Sequence, residues 1–151
     1  MITIDELKLK IDKKSRLLGL DLGSKRIGLS ICDDKRLVAT PFQTINFISL
    51  DSLIVDLKKL IEENSIQAII IGDPINMDGS HGKASQSIRD KSTIISKKIN
   101  VPTVLWDERL STIGAFNLSS QLDVNVSKRT KNIDKNAATF ILQGAIDYLN
   151  N

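Results

Sequence analysis

The sequence predicts an α/β domain built on a mixed five-stranded sheet with helices on both faces. Three observations carry this. Three short apolar runs joined by tight connections open the domain, which reads as an antiparallel start. Two later aliphatic runs, 66–71 and 101–106, are nearly continuous, as expected of strands covered on both sides. Segments with apolar residues at helical spacing alternate with those runs.

Residues 1–15 form an extension with apolar residues at Ile2, Ile4, Leu7, Leu9 and Ile11, compatible with a short helix or a short strand. The single domain is read over 16–150. Its first strand, Leu17–Leu22, ends in glycine at Gly23. A second, Ile27–Cys32, is apolar on alternate residues. The turn Asp33-Asp34-Lys35-Arg36 leads to a third strand, Leu37–Thr40, before Pro41. Ser49 is a good N-cap, and Leu50, Leu53, Ile54, Leu57, Leu60 and Ile61 then recur at helical spacing.

Ile66–Ile71 is the fourth strand, and the Gly72–Ser80 segment after it is rich in turn formers. A helix fits Ala84–Ile99, with Ala84, Ile88, Ile95 and Ile99 on one face. Val101–Trp106 is the fifth strand, with Pro102 tolerated near its start. A shorter helix is expected over Thr112–Leu122. Residues 123–132 show no periodicity and read as a basic loop, followed by a last helix marked by Ile133, Ala137, Ile141, Ala145 and Tyr148.

The 151 residues suit one domain, and 41% apolar with 26% charged residues is an ordinary globular balance. One cysteine, Cys32, excludes an intramolecular disulfide and a zinc site of several thiolates, and suits a reducing compartment. No apolar run approaches the ~20 residues of a membrane span, and the mixed-charge N-terminus has no apolar signal core. A cytoplasmic protein with no membrane partner is expected. Net charge is +3, from 21 Lys+Arg against 18 Asp+Glu, which permits an acidic partner without demanding one. Aromatics at 4% argue against a base-stacking platform.

Asp21 ends an apolar strand, where a carboxylate is costly unless paired or bound to metal; a turn aspartate is the plain alternative. Asp107 and Glu108 follow the fifth strand, and in open α/β sheets ligand sites gather beyond the carboxyl ends of strands. The plain alternative is an acidic pair complementing a helix dipole. Strand alternation lets one of the two enter a site, and Glu108 is preferred for its longer stem. Asp134 opens the last periodic stretch and alone reads as an N-cap. Together, Asp21, Glu108 and Asp134 could converge on Mg²⁺ or Mn²⁺, hard cations that take oxygen ligands. Two such ions suit phosphodiester hydrolysis. Residues 123–135 carry Lys128, Arg129, Lys131 and Lys135 against Asp123 and Asp134, and such cations beside carboxylates suit a polyanion. His81, the only histidine, lies in a polar loop, with a minor prospect of touching substrate. No serine or cysteine shows a base partner, and there is no P-loop and no G-x-G-x-x-G after a strand.

Five segments in order carry a resemblance: Leu18–Leu29 (LGLDLGSKRIGL), Ala39-Thr40-Pro41, Gly72–Ser80 (GDPINMDGS), Asp107–Thr112 (DERLST) and Ile133–Ala138 (IDKNAA). With them the sequence resembles the YqgF/RuvX family of pre-16S rRNA nucleases, earlier described as Holliday junction resolvases, over residues 16–149. The resemblance implies a ribonuclease H-like fold and a metal site on Asp21, Glu108 and Asp134. It also places the Asn76–Ser80 loop near that site, with Asn76 as a substrate contact. Two positions depart from the family pattern. Asp73 replaces an apolar residue and could alter metal binding or repel phosphate, and Gly114 would loosen the helix it opens.

The leading expectation is a metal-dependent hydrolase that trims the precursor of small-subunit rRNA, free or in a ribosomal particle. Lys25, Arg26, Arg109, Lys128, Arg129 and Lys131 are candidates to contact phosphates. Cleavage of branched DNA is the alternative within enzymes and needs a two-fold dimer, though the oligomeric state is not legible in the sequence. A nucleic-acid-binding module without catalysis is the alternative from another class. Asp21–Ser24 also looks like the phosphate loop of sugar kinases and actin-like ATPases, but those need two related domains and this chain has room for one.

Overall fold

The computed structural model describes the backbone of residues 1–110 and 126–151, and the side chains of 1–110 and 136–151. The expected helix over Thr112–Leu122, with Gly114, lies outside the described residues. The elements are α1 (Ile4–Lys10), β1 (Arg16–Leu22), β2 (Arg26–Cys32), β3 (Ala39–Asn46), α2 (Leu50–Asn64), β4 (Ile66–Asp73), α3 (Lys83–Lys98) and β5 (Thr103–Asp107), a 3₁₀ turn (Glu108–Leu110) and α4 (Val126–Asn150). The strands form one sheet in the order β3-β2-β1-β4-β5. β1–β2 and β2–β3 pair antiparallel, while β1–β4 and β4–β5 pair parallel. The mixed sheet with an antiparallel start is therefore the one the sequence predicts.

Strand alternation divides the core. Leu18, Leu20 and Leu22 of β1 face one side with Ile69 and Ile71 of β4, under Leu53, Ile54 and Leu57 of α2 and Ile88 and Ile95 of α3. Leu17, Ala68, Ile70, Val104 and Trp106 face the other side, under Ile141, Leu142, Ala145, Ile146 and Leu149 of α4. Gly19 and Asp21 share this second side by the two-residue period of the strand. At Gly19 a side chain would collide with Ser30, Leu142 and the Ala138 carbonyl, so glycine lets α4 lie directly on β1. The Ser30 hydroxyl donates to that carbonyl at 2.6 Å.

Four local expectations change. The third strand does not stop at Pro41 but runs to Asn46, while Leu37 and Val38 are exposed in the connection. β3 is an edge strand, and Pro41 pairs with Ser30 where the register shifts, a place that tolerates a missing N–H. The buried stripe of α3 is Ser85, Ile88, Ser92 and Ile95, with Ala84 exposed, because two serines do what a hydrophobic pattern assigns to aliphatics. The basic stretch 126–132 is helical, not a loop. It contains no Gly or Pro to break a helix, and it escaped detection because Val126 is its only apolar residue, which leaves no helical periodicity to read. Asp134 is thus inside α4 and is not its N-cap. The same stripe, Ala138, Ile141, Leu142, Ala145, Ile146 and Leu149, leaves Tyr148 partly exposed.

The N-terminal extension resolves as a helix. Thr3 and Glu6 form a capping box that satisfies two backbone N–H groups. Leu7 is fully buried in the α4-side core, and Ile2 bridges to Val104. The extension thus covers the β5 edge of the sheet.

Candidate active site

The carboxyl ends of β1, β4 and β5 lie side by side: Leu20 is level with Ile71, and Asp73 with Asp107. Asp21, Gly72 and Glu108 come together on the α4 side of this edge. A side chain at Gly72 would collide with a Glu108 carboxyl oxygen and with Ile141, so the glycine makes the space in which Glu108 sits. Burial first, then the charges of Asp21, Asp73 and Asp107, push the Glu108 carboxyl up from its usual 4.5 to about 7. Asp107 is occupied otherwise. Arg109 grips it through Nε and Nη2, with the Nη2–Oδ2 contact at 2.7 Å, and this hydrogen bonding holds its carboxyl below the usual range. The preference for Glu108 over Asp107 beside Asp21 thus has a geometric reason that side-chain length did not supply.

Asp134 lies one helical turn before Ala138, whose carbonyl rests over Gly19. Its side chain, like those of Lys128, Arg129 and Lys131, lies outside the described residues, and the three basic positions fall in the first two turns of α4. No group of three His, Cys, Asp or Glu able to hold a metal occurs among the described residues, which do not include the side chain of Asp134. Lys25 and Arg26 are exposed at the β1–β2 connection that follows Asp21.

The loop after β4 is internally braced. The Asn76 amide N–H donates to the Ser80 carbonyl at 3.0 Å, its side chain donates to the Ser80 hydroxyl at 3.0 Å, and Asp78 accepts from the Ser80 N–H at 2.9 Å. The loop lies against the 3₁₀ turn that carries Glu108: a Cβ at Gly79 would lie 3.6 Å from Nη1 of Arg109. Met77 stands 81% exposed on it.

Asp73 is buried, on the α3 side of the sheet, and is not open to solvent. The Ser85 hydroxyl donates to it at 2.6 Å, and Arg89 of α3 pairs with it at 2.8 Å. The departure that looked able to repel phosphate is neutralised by Arg89, although Asp73 still contributes to raising Glu108. Sequence reasoning missed this cluster. Its signal was the spacing of His81, Ser85 and Arg89 at four-residue intervals, one stripe of a helix and its lead-in.

A family model described as "RuvX: Holliday junction resolvase" matches residues 15–148. The chain belongs to the RuvX family. A relative in that family from Pelagibacter ubique (strain HTCC1062), named "Putative pre-16S rRNA nuclease", is 62% identical over 151 residues, covering 100% of both chains. Another of the same name, from Rhizobium meliloti (strain 1021), is 42% identical and covers 99% of this chain and 90% of its own. Among solved structures, Thermus thermophilus RuvC in complex with a Holliday junction substrate matches with a TM-score of 0.54 at 10% identity, over 89% of this chain and 94% of that one. The fold is therefore ribonuclease H-like, as the resemblance implied.

Glu108 sets an expected pH dependence. Without a cation, the folded protein keeps Glu108 protonated at pH values where the unfolded chain ionises it. Stability of the metal-free protein therefore falls as pH rises from 4.5 towards about 7, and Glu108→Gln removes that slope. A cation held by Glu108 would need the ionised carboxylate, so in that case Mn²⁺ affinity would rise over the same range with release of a proton. Calorimetric titration with Mn²⁺ in buffers of different ionisation enthalpy measures that proton directly, and pH-independent binding would contradict the assignment.

Proposed function

We propose that the chain is a nuclease that hydrolyses phosphodiester bonds of precursor 16S rRNA, using two Mg²⁺ or Mn²⁺ ions held by Asp21, Glu108 and Asp134. The observation that carries this reading is the pairing of Asp21 and Glu108 on one side of the sheet edge, close enough that repulsion helps keep Glu108 protonated near neutrality. All-oxygen donors in mutual repulsion fit a hard divalent cation. Family membership and the names of the relatives support the same chemistry and substrate. When bound, the metal supplies Lewis-acid stabilisation of the phosphate and leaving oxygen and an activated water.

The remaining work belongs to the chain. Lys25 and Arg26 meet backbone phosphates beside Asp21, and Lys128, Arg129 and Lys131 do so from the start of α4. Arg109, oriented by Asp107, keeps Nη1 for a phosphate oxygen. Asn76 braces the loop through Ser80 and lines the strand's path. Among the described residues no helix is long and apolar enough to cross a membrane. The proposed place of work is the cytoplasm.

Branched DNA is the second reading, favoured by the family's description and by the fold shared with RuvC. One assay separates the two. A labelled rRNA 5′-leader fragment and a four-way DNA junction are incubated with the protein in Mn²⁺ and in Mg²⁺. Metal-dependent cutting of the RNA alone is the expected result. Symmetric cutting of the junction by a two-fold dimer would replace the proposal, and binding without cutting of either would favour the non-catalytic module.

A further inference from the structure

His81 stands exposed on the braced loop after β4 and has one hydrogen-bond partner among the described residues: its Nδ1 lies 2.9 Å from the Ser85 hydroxyl oxygen. Which of the two gives the hydrogen follows from the groups behind them. Asp73 pairs with the Arg89 guanidinium at 2.8 Å, so its carboxylate is ionised and only accepts. The single hydrogen of Ser85 goes to that carboxylate at 2.6 Å. What Ser85 offers His81 is a lone pair, so Nδ1 carries the hydrogen. In the neutral imidazole Nε2 is then bare and can only accept. Asp73 and Ser85 thus act as positioning residues that select one tautomer of a ring that closes the loop over the active-site turn, where a Cβ at Gly79 would lie 3.6 Å from Arg109 Nη1.

Along the sugar–phosphate backbone of a nucleic acid, an acceptor meets few donors. Phosphate and backbone sugar oxygens have no hydrogen to give, whereas the ribose 2′-hydroxyl does, and it is the group by which a protein tells RNA from DNA. We infer that His81 reads the 2′-hydroxyl of a ribonucleotide at the site, accepting its hydrogen at Nε2, and so biases the enzyme towards RNA. The inference rests on the nuclease reading above and deepens it.

The test compares two single strands of the same rRNA leader sequence, one all-ribose and one 2′-fluoro. The fluorine keeps the ribose shape but cannot donate. Binding is read by fluorescence anisotropy in Ca²⁺. The wild-type protein should prefer the ribose strand about three- to tenfold, the worth of one neutral hydrogen bond. His81→Asn keeps a donor for Ser85 but removes the Nε2 acceptor, and should bring the ratio close to one. Ser85→Ala releases the ring to either tautomer and should give an intermediate ratio, a readout that a loss of folded protein does not move. A wild-type ratio of one, or an unchanged ratio in His81→Asn, overturns the inference and leaves the nuclease reading standing. Failure of the wild-type protein to bind either strand overturns both.

Discussion

Asp21→Asn should lower Mn²⁺- and Mg²⁺-dependent strand cleavage by at least about a hundredfold while leaving the protein folded, since metal-ion stabilisation of a phosphoryl transition state is worth several kcal/mol and each ~1.4 kcal/mol is tenfold in rate. Asp21 and Glu108 are held together at the carboxyl edge of the sheet, and in the absence of a cation that proximity helps push Glu108 to about 7. Removing one charge relieves the repulsion. The Glu108 carboxyl of the variant should therefore titrate nearer the ordinary carboxylate range. A cleavage assay beside a thermal melt measures activity and folding, and a folded variant with full metal-dependent cleavage would remove Asp21 from the site.

Gly19→Ala should cost about 3 kcal/mol, from overpacking plus a lost hydrogen bond, and lower the melting temperature by roughly 10 °C for a chain of this size. One methyl group has this effect because nothing near Gly19 can move independently. The added carbon would meet Ser30 on the neighbouring strand and both Leu142 and the Ala138 carbonyl of α4. Relief requires lifting α4 off the sheet, which breaks the 2.6 Å bond from Ser30 and opens the core around Ile141, Leu142 and Ala145. α4 also carries Asp134 one turn before Ala138, so cleavage should fall even at temperatures where the variant is folded. A calorimetric scan with an activity assay at 20 °C below the midpoint would show this, and an unchanged midpoint would mean that α4 packs elsewhere.

The parts of this protein that could be read from the chain were those written in local periodicity. Ile66–Ile71 and Val101–Trp106 announced buried parallel strands because both of their faces are covered. Leu53, Ile54 and Leu57 announced α2 because one stripe faces the core. The readings that failed did so where a residue's fate depended on a partner distant in sequence. Pro41 looked like a stop until β3 proved to be an edge strand. Ser85 and Ser92 had no place in the apolar stripe expected of α3, yet both are buried, the first because Asp73 accepts its hydrogen. Residues 126–132 looked like a loop because helices are read from apolar residues at helical spacing, and this stretch has only Val126 to offer.

Composition, spacing and the five ordered motifs were enough to specify a mixed sheet, its strand order of appearance and the acidic positions to examine. They could not say which of several neighbouring carboxylates share a side. Asp21, Asp73, Asp107 and Glu108 are equivalent on paper, each at the end of an apolar run. Sheet registry separates them: Asp73 and Asp107 are level on β4 and β5, and each has its own arginine. Asp21 and Glu108 meet over Gly72 on the α4 side. The physical reason is that a strand turns successive side chains to opposite faces. Which face becomes the site is set by the helix that packs there, through contacts more than 100 residues apart in the chain, such as Ser30 with Ala138.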